Sequence, residues 1–219
     1  MAGNPQISIV VPVYNDPDGL RDTLDSLTEQ KSSSRYEIIV VDNNSTDETP
    51  QVIEEFEREY PDIVYGLKET DVQSSYAARN TGIENASGEI LAFIDADVTV
   101  NNDWIERIVG IFEEKNVDYL GCNVEMYISG GEDSIWAEYD ASTGLPVEYY
   151  LETKQFVPTC ALAVRADVIR AVGPFDQRLV SGGDKEFGNR VDRAGLEMRF
   201  TDDTTVYHPT RSSLGEHLS

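Results

Sequence analysis

Short apolar runs alternate with amphipathic stretches through the first half of the chain. Residues 7–13, 37–41, 63–65 and 89–94 are largely apolar with little polar alternation, the pattern of strands covered on both faces, as in parallel sheets. Between them Leu20, Leu24 and Leu27 recur at helical spacing, as do Val52, Ile53, Phe56 and Tyr60. Residues 75–84 are rich in small side chains and also read as a helix. Asp103 precedes a further helix, with Glu106 three residues on as a capping box and Trp104, Ile105, Ile108, Val109 and Phe112 as its apolar face. Strand and helix alternating over residues 6–115 predict an α/β fold. Its sheet should be mainly parallel and flanked by helices, with right-handed crossovers.

Beyond residue 118 the pattern changes. Residues 119–128 and 156–164 read as strands. The insert between them, 129–154, reads as irregular, with Gly130, Gly131, Gly144, Pro146 and the aromatics Trp136, Tyr139, Tyr149 and Tyr150. A short helix over 165–172 stops at Gly173-Pro174. Asp184 reads as the N-cap of another helix, with Phe187, Val191 and Ala194 on its apolar side and Gly195 at its end. A last short strand, 205–207, precedes His208-Pro209. Residues 211–219 look like the start of a helix, as expected if the chain is part of a longer protein. There is no internal repeat, low-complexity tract or linker, so residues 1–219 are expected to form a single domain.

Composition narrows the functional classes. Forty-one acidic residues against 17 Lys and Arg give the 219-residue chain a net charge of −24. Nucleic-acid binding draws its affinity from cations meeting phosphates, so it is disfavoured. The acids are scattered between ordered apolar patterns, which excludes an acidic disordered tail. A scattered acidic surface repels itself unless salt screens it, which points to a salt-rich cytoplasm. Cys122 and Cys160 have neither zinc-finger spacing nor a disulfide framework, in keeping with a reducing, cytoplasmic setting. No apolar run reaches the ~18 residues a spanning helix needs, and the N-terminus lacks the basic region of a signal peptide. Peripheral contact with a membrane and the oligomeric state stay open.

The segment Leu91-Ala-Phe-Ile-Asp-Ala-Asp-Val98 carries the first chemistry. In open α/β sheets, ligands collect at the carboxyl ends of strands. Asp95 and Asp97 stand where a hard cation can bridge protein and phosphate oxygens, which suggests a metal-dependent enzyme acting on a phosphorylated donor. An isolated Asp-x-Asp is a weak signal. Here it is one of several in order: Ile9-Val-Val-Pro-Val-Tyr-Asn15, Val41-Asp-Asn-Asn-Ser-Thr-Asp47, Ala78-Arg-Asn-Thr-Gly82, Phe93-Ile-Asp-Ala-Asp97, and Gly173-Pro-Phe-Asp176 followed by Ser181-Gly-Gly-Asp-Lys-Glu186, with His208 closing the set.

In that order and spacing the chain resembles the family-two inverting glycosyltransferases of GT-A fold, of an acidic haloarchaeal type, over residues 6–210. The resemblance implies a nucleotide-binding half (1–115) and an acceptor-binding half (116–219). It implies transfer of a sugar from a nucleotide donor, with uridine the usual base, to a hydroxyl of a saccharide or glycolipid. Asp97 and His208 would hold a divalent cation, Mn²⁺ or Mg²⁺, and Asp95 would touch the ribose or the metal's surroundings. Pro12, Val13 and Tyr14 would flank the base, Asp42 would accept a hydrogen bond from it, and Arg79 would contact base or diphosphate. Asp184 matches the family's catalytic base. The family usually has an acid immediately before that residue, whereas this chain has Gly183.

Plainer readings stand beside these. Asp42 can simply cap the turn at Asn43-Asn44, Asp47 suits a helix start, and Asn80 suits a structural role. Asp184 sits at a helix N-terminus, which should keep it ionised, and Glu186 competes with it as the base. Trp136, Tyr139, Tyr149 and Tyr150 serve equally as packing or as flat surfaces for a sugar. Lys154 is the one cation of that insert, little with which to grip an acceptor phosphate. A sugar-1-phosphate nucleotidyltransferase would need a Gly-rich basic loop where Val13-Tyr-Asn-Asp-Pro17 stands. A Rossmann dehydrogenase would need the absent G-x-G-x-x-G. A catalytically silent nucleotide-sugar binding subunit is the alternative that Gly183 keeps open.

Overall fold

Every residue of the first strand, β1 (Ile7–Val13), is buried, because neighbours flank it on both edges and helices pack nearby. It pairs in parallel with β2 (Tyr36–Asp42) and β4 (Ile90–Phe93), and β2 pairs in parallel with β3 (Val64–Lys68). In this computed structural model residues 5–128 and 144–210 are described. The remaining strands are β5 (Thr99–Val100), β6 (Tyr119–Tyr127), β7 (Leu162–Arg165) and β8 (Met198–Pro209). Together they make one eight-stranded sheet in the order β3-β2-β1-β4-β7-β6-β8-β5. β7 runs antiparallel to β4 and β6, while β8 runs parallel to β6 and antiparallel to β5. The sheet is therefore parallel in its first half and mixed in its second.

The helices are α1 (Pro17–Thr28), α2 (Thr49–Glu59), α3 (Ser75–Asn85), α4 (Trp104–Glu114), α5 (Val147–Lys154), α6 (Ala166–Val172) and α7 (Gly183–Arg193). In α1 the Asp16 side chain caps Gly19 N–H and Leu20, Leu24 and Leu27 are buried. α4 buries all five residues of its expected apolar face. α3 has little amphipathic contrast but lies tight on the sheet. A Cβ on Gly82 would stand 2.4 Å from Val10 Cγ1, so glycine is what lets that helix approach β1.

Several expectations need correction. The strand expected over 156–164 begins only at Leu162. Pro158 has no N–H to give a ladder, and Thr159–Ala161 form a 3₁₀ turn instead. The last strand is far longer than 205–207, since β8 spans 12 residues; the exposed Asp202 and Asp203 hide it. β5 and α5 were not foreseen. Ala194 is the exposed C-cap of α7 rather than part of its apolar side. The capping box at Asp103 does not form, because Asp103 pairs with Arg107 at 2.7 Å and Glu106 accepts hydrogen bonds from Ser32 and Ser33. Gly130, Gly131, Trp136, Tyr139 and the expected helix at 211–219 lie outside the described residues. Among the described residues no helix is long and apolar enough to cross a membrane.

Candidate active site

The carboxyl ends of β1 and β4 meet where strand order reverses, the place in such sheets where ligands bind. A cleft of about 410 Å³ opens there, lined by Pro12, Val13, Tyr14, Asn43, Gln73, Ser74, Ser75, Arg79 and Asp95. The structure thus brings together five of the predicted nucleotide residues. Tyr14 stands at the mouth, 52 % exposed. Ser74 caps α3 by accepting the Tyr76 N–H, so the first turn of α3 borders the cleft. A helix N-terminus there favours an anion.

Arg79 projects from α3 and its side chain is only 5 % exposed. Its Nη2 donates to Asp95 Oδ1 at 2.5 Å, and its guanidinium lies 5.7 Å from the centre of the Tyr76 ring. Its Nε is buried with no hydrogen-bond partner. A largely buried guanidinium on a residue that lines the cleft is suited to an incoming anion.

Asp42 is placed differently from its neighbours. It is 2 % exposed, accepts the Ser45 N–H at 2.9 Å, and does not line this cleft, whereas Asn43 does. Its turn-capping role is what the geometry displays. Asn43 is held by hydrogen bonds from its side chain to the Glu69 and Val72 carbonyls and by Gln73 donating to its own carbonyl. Nothing in the residue pattern singles it out over Asp42. Asp47 accepts the Thr49 N–H at the start of α2, in keeping with its expected helix-start role.

Asp97 and His208 are 111 positions apart, yet sheet register brings them together. β5 pairs Thr99 with Tyr207, and one more step carries His208 towards the loop that holds Asp97. His208 Nε2 lies 4.0 Å from Asp97 Oδ1. The His208 Nδ1 is 2.8 Å from the Pro209 carbonyl. A carbonyl only accepts, so Nδ1 carries a proton, and in the neutral form of the ring Nε2 holds the lone pair. Burial pushes the Asp97 carboxyl pKa up, with His208 opposing and Asp95 reinforcing the shift. A carboxylate beside an imidazole fits a divalent cation that takes mixed N and O ligands. The ligand atoms of Asp95, Cys160 and His208 also lie within 4.8 Å of one another. Cys160 was missed, because its neighbours are set by the turn before β7 and not by spacing in sequence.

Asp184 is the second residue of α7. The N-cap is Gly182, in left-handed conformation at φ 74°, so the expected N-cap role for Asp184 is corrected. Its Oδ1 accepts the Lys185 N–H at 2.8 Å. Its pKa is raised, chiefly by burial, against the opposing effects of that hydrogen bond and of Arg79. Desolvation outweighs the helix terminus that was expected to keep it ionised. Glu186 is occupied elsewhere: it accepts from Arg190 at 2.9 Å, and Arg190 in turn donates to the carbonyls of Val172, Gly173 and Pro174. Asn80 is structural as expected, exchanging hydrogen bonds with the Phe175 backbone at 2.9 and 3.0 Å. Of the aromatics in the insert, Tyr150 stacks on Phe156 at 5.2 Å and packs with Lys154, while Tyr149 is 54 % exposed.

The description "Glycosyl transferase family 2" matches residues 8–172. The chain is 39 % identical over 209 residues to the glycosyltransferase AglE of Haloferax volcanii, covering 94 % of this chain and 68 % of that protein. It is 29 % identical to the pre-mycofactocin glycosyltransferase of Mycobacterium tuberculosis, covering 97 % of this chain and 44 % of the relative. Among solved structures, Staphylococcus aureus TarS 1–349 in complex with UDP-GlcNAc superposes with a TM-score of 0.76 at 21 % identity, over 98 % of this chain and 61 % of that one. The mannosyltransferase PcManGT of Pyrobaculum calidifontis, in complex with GDP-Man and Mn²⁺, gives 0.71 at 22 % identity, over 94 % and 57 %. The fold is the GT-A arrangement expected from the motifs.

Proposed function

This chain belongs to glycosyl transferase family 2, and from that premise we propose that it moves a sugar from a nucleoside diphosphate donor to a hydroxyl acceptor with inversion. The observation that carries this reading is Arg79, largely buried and paired with Asp95 on the cleft wall. It is a ready-made anchor for a diphosphate. Pro12, Val13 and Tyr14 flank the base, Asn43 and Gln73 border it, and Asp42 acts from behind by fixing the turn through Ser45. Asp95 serves the ribose side of the donor while holding Arg79 in place.

Asp184 is the base. Its carboxylate takes the proton from the acceptor hydroxyl as that oxygen attacks the anomeric carbon. The bond from that carbon to the diphosphate oxygen breaks in the same displacement, and the departing electron pair stays on the diphosphate beside Arg79. Attack opposite the leaving group inverts the stereochemistry. Asp97 and His208 would hold a divalent cation, Mn²⁺ or Mg²⁺, which supplies Lewis-acid stabilisation of the leaving group when bound. Glu186 is disfavoured as the base by its pairing with Arg190.

We take uridine as the base and a saccharide or glycolipid as the acceptor, with Tyr149 on the acceptor side. The net charge of −24 supports a protein adapted to high salt. Thermal shift in high salt against a panel of nucleoside diphosphates and their sugars, with and without Mn²⁺ or Mg²⁺, tests the reading. A metal-dependent rise for one diphosphate is expected. No response to any member of the panel, with or without metal, overturns it.

A further inference from the structure

Asp95, Cys160 and His208 reach one place from three separate segments. The β4–β7 ladder ends where Phe93 pairs with Leu162, and the 3₁₀ turn Thr159–Ala161 just before β7 brings Cys160 to the side of Asp95. The ladder between β5 and β8 carries in His208. The three ligand atoms lie within 4.8 Å of one another, and Cys160 is only 4 % exposed. The other cysteine, Cys122, is engaged instead with the Ala161 carbonyl at 3.5 Å.

We propose that Asp95, Cys160 and His208 bind a thiophilic divalent cation of the zinc class. One sulfur, one imidazole nitrogen and one carboxylate oxygen make a mixed set that leaves a fourth position open. A thiolate shifts preference away from Mg²⁺ and Mn²⁺ and towards softer ions such as Zn²⁺ and Cd²⁺. On binding, the Cys160 S–H bond breaks, its electron pair goes to the ion and its proton goes to solvent, so one proton is released per ion. Such binding would compete with Arg79 for Asp95 and with Asp97 for His208. Inhibition of sugar transfer follows if transfer runs at this site, a consequence that rests on the proposed function; binding itself does not.

Titration of the whole chain with Cd²⁺, followed by the ultraviolet sulfur-to-metal charge-transfer band and by proton release, tests this. Wild type and Cys122→Ser should show the band at one equivalent. Cys160→Ser should lose it while keeping its circular dichroism. If Cys160→Ser does not fold, Asp95→Asn and His208→Gln decide, since both retain the thiol. Each should weaken Cd²⁺ at least tenfold. No band in wild type, a full band in Cys160→Ser, or unchanged affinity in both retained-thiol variants overturns the proposal. A protein that transfers sugar with Mn²⁺ but shows no band overturns the thiophilic site alone. A protein that shows the band but transfers from no nucleotide donor overturns the functional reading alone.

Discussion

The hydroxyl of Tyr76 accepts the backbone N–H of Gly183 at 2.8 Å, and the Tyr76 ring lies against the α-carbon of that glycine. The same ring stacks on Phe175 and lies against Arg79. One side chain therefore joins the helix that carries Arg79 to the helix that carries the proposed base. Tyr76→Phe keeps the ring but leaves a buried N–H unpaired, a loss of about 1–3 kcal/mol felt at the residue before Asp184. We expect kcat to fall about tenfold, the equivalent of ~1.4 kcal/mol, with the donor KM changed by less than a factor of two. Steady-state kinetics with varied donor check this. A raised donor KM at unchanged kcat would place Tyr76 in donor binding instead.

Restoring the acid usual in the family before Asp184 should not help this chain. A Cβ on Gly183 would stand 2.6 Å from Tyr76 ring atoms, so any side chain there must push the ring aside. Overpacking of that kind costs about 1–3 kcal/mol. In a domain of this size each kcal/mol moves Tm by roughly 2–4 °C. Gly183→Glu should therefore lower Tm by several degrees and reduce transfer. A variant as stable as wild type would show that Tyr76 yields easily and that Gly183 is not required by packing.

The first half of the fold was legible because β1, β2 and β4 are covered on both faces and so read as unbroken apolar runs. β8 was not, because half-exposed positions and the pair Asp202 and Asp203 interrupt it. α5 escaped notice because only Val147 and Leu151 anchor it. At the site, the motif residues Arg79, Asp95 and Asp184 could be named from their order in the chain. Cys160 and Tyr76 could not. One is placed by the turn that leads into β7 and the other by the approach of α3 to α7, relationships that exist only in three dimensions.

Arg79 sets up a prediction about binding. Its Nη2 serves Asp95 while the rest of its planar fork belongs to a residue that lines the cleft. Arg79→Lys keeps the charge but not the fork, so affinity for the nucleoside diphosphate should fall ten- to a hundredfold by isothermal titration. Asp95→Asn leaves the buried guanidinium without its counter-charge, which costs about 3–5 kcal/mol where such a pair is broken. Because Asp95 is about a third exposed, the loss should lie below that range. Added diphosphate should recover more Tm in Asp95→Asn than in wild type. An equal recovery in the two proteins would mean that Arg79 does not meet the diphosphate.

Asp184 gives the acid limb of activity and a stability effect of opposite sense. Burial raises its pKa above the ordinary carboxylate value. A base must be ionised, so kcat/KM should fall on acidification at a pH above the usual carboxylate range of about 3.9. For stability, the folded state holds the proton more tightly than the unfolded chain. The protonated form's advantage is full below the unfolded pKa and is lost as pH rises through the raised folded pKa. Asp184→Asn should therefore abolish transfer while raising Tm at neutral pH. Glu186→Gln should lower Tm, because it releases Arg190 from an ion pair that helps hold the turn at Gly173 and Pro174. If Glu186→Gln abolishes transfer at unchanged stability while Asp184→Asn transfers normally, the base is Glu186.

Ionic strength should govern the whole fold. Forty-one acids face 17 Lys and Arg, and the pairs Arg21–Glu55, Arg107–Asp103, Arg178–Asp176 and Arg199–Glu197 sit on the surface. Exposed pairs of this kind contribute roughly 0–1 kcal/mol each, too little to offset the excess of negative charge. Raising salt from about 0.1 M, where the screening length is ~10 Å, to about 1 M, where it is ~3 Å, cuts the repulsion among unpaired acids far more than it weakens those pairs. Tm measured by circular dichroism should climb steeply with KCl over that range, and dialysis into dilute buffer should unfold the chain reversibly. If the rise reflects screening, NaCl and KCl should give nearly the same curve. A Tm that is flat or falls with salt would show that the acidic surface is tolerated without salt, and adaptation to a salt-rich setting would have to be abandoned.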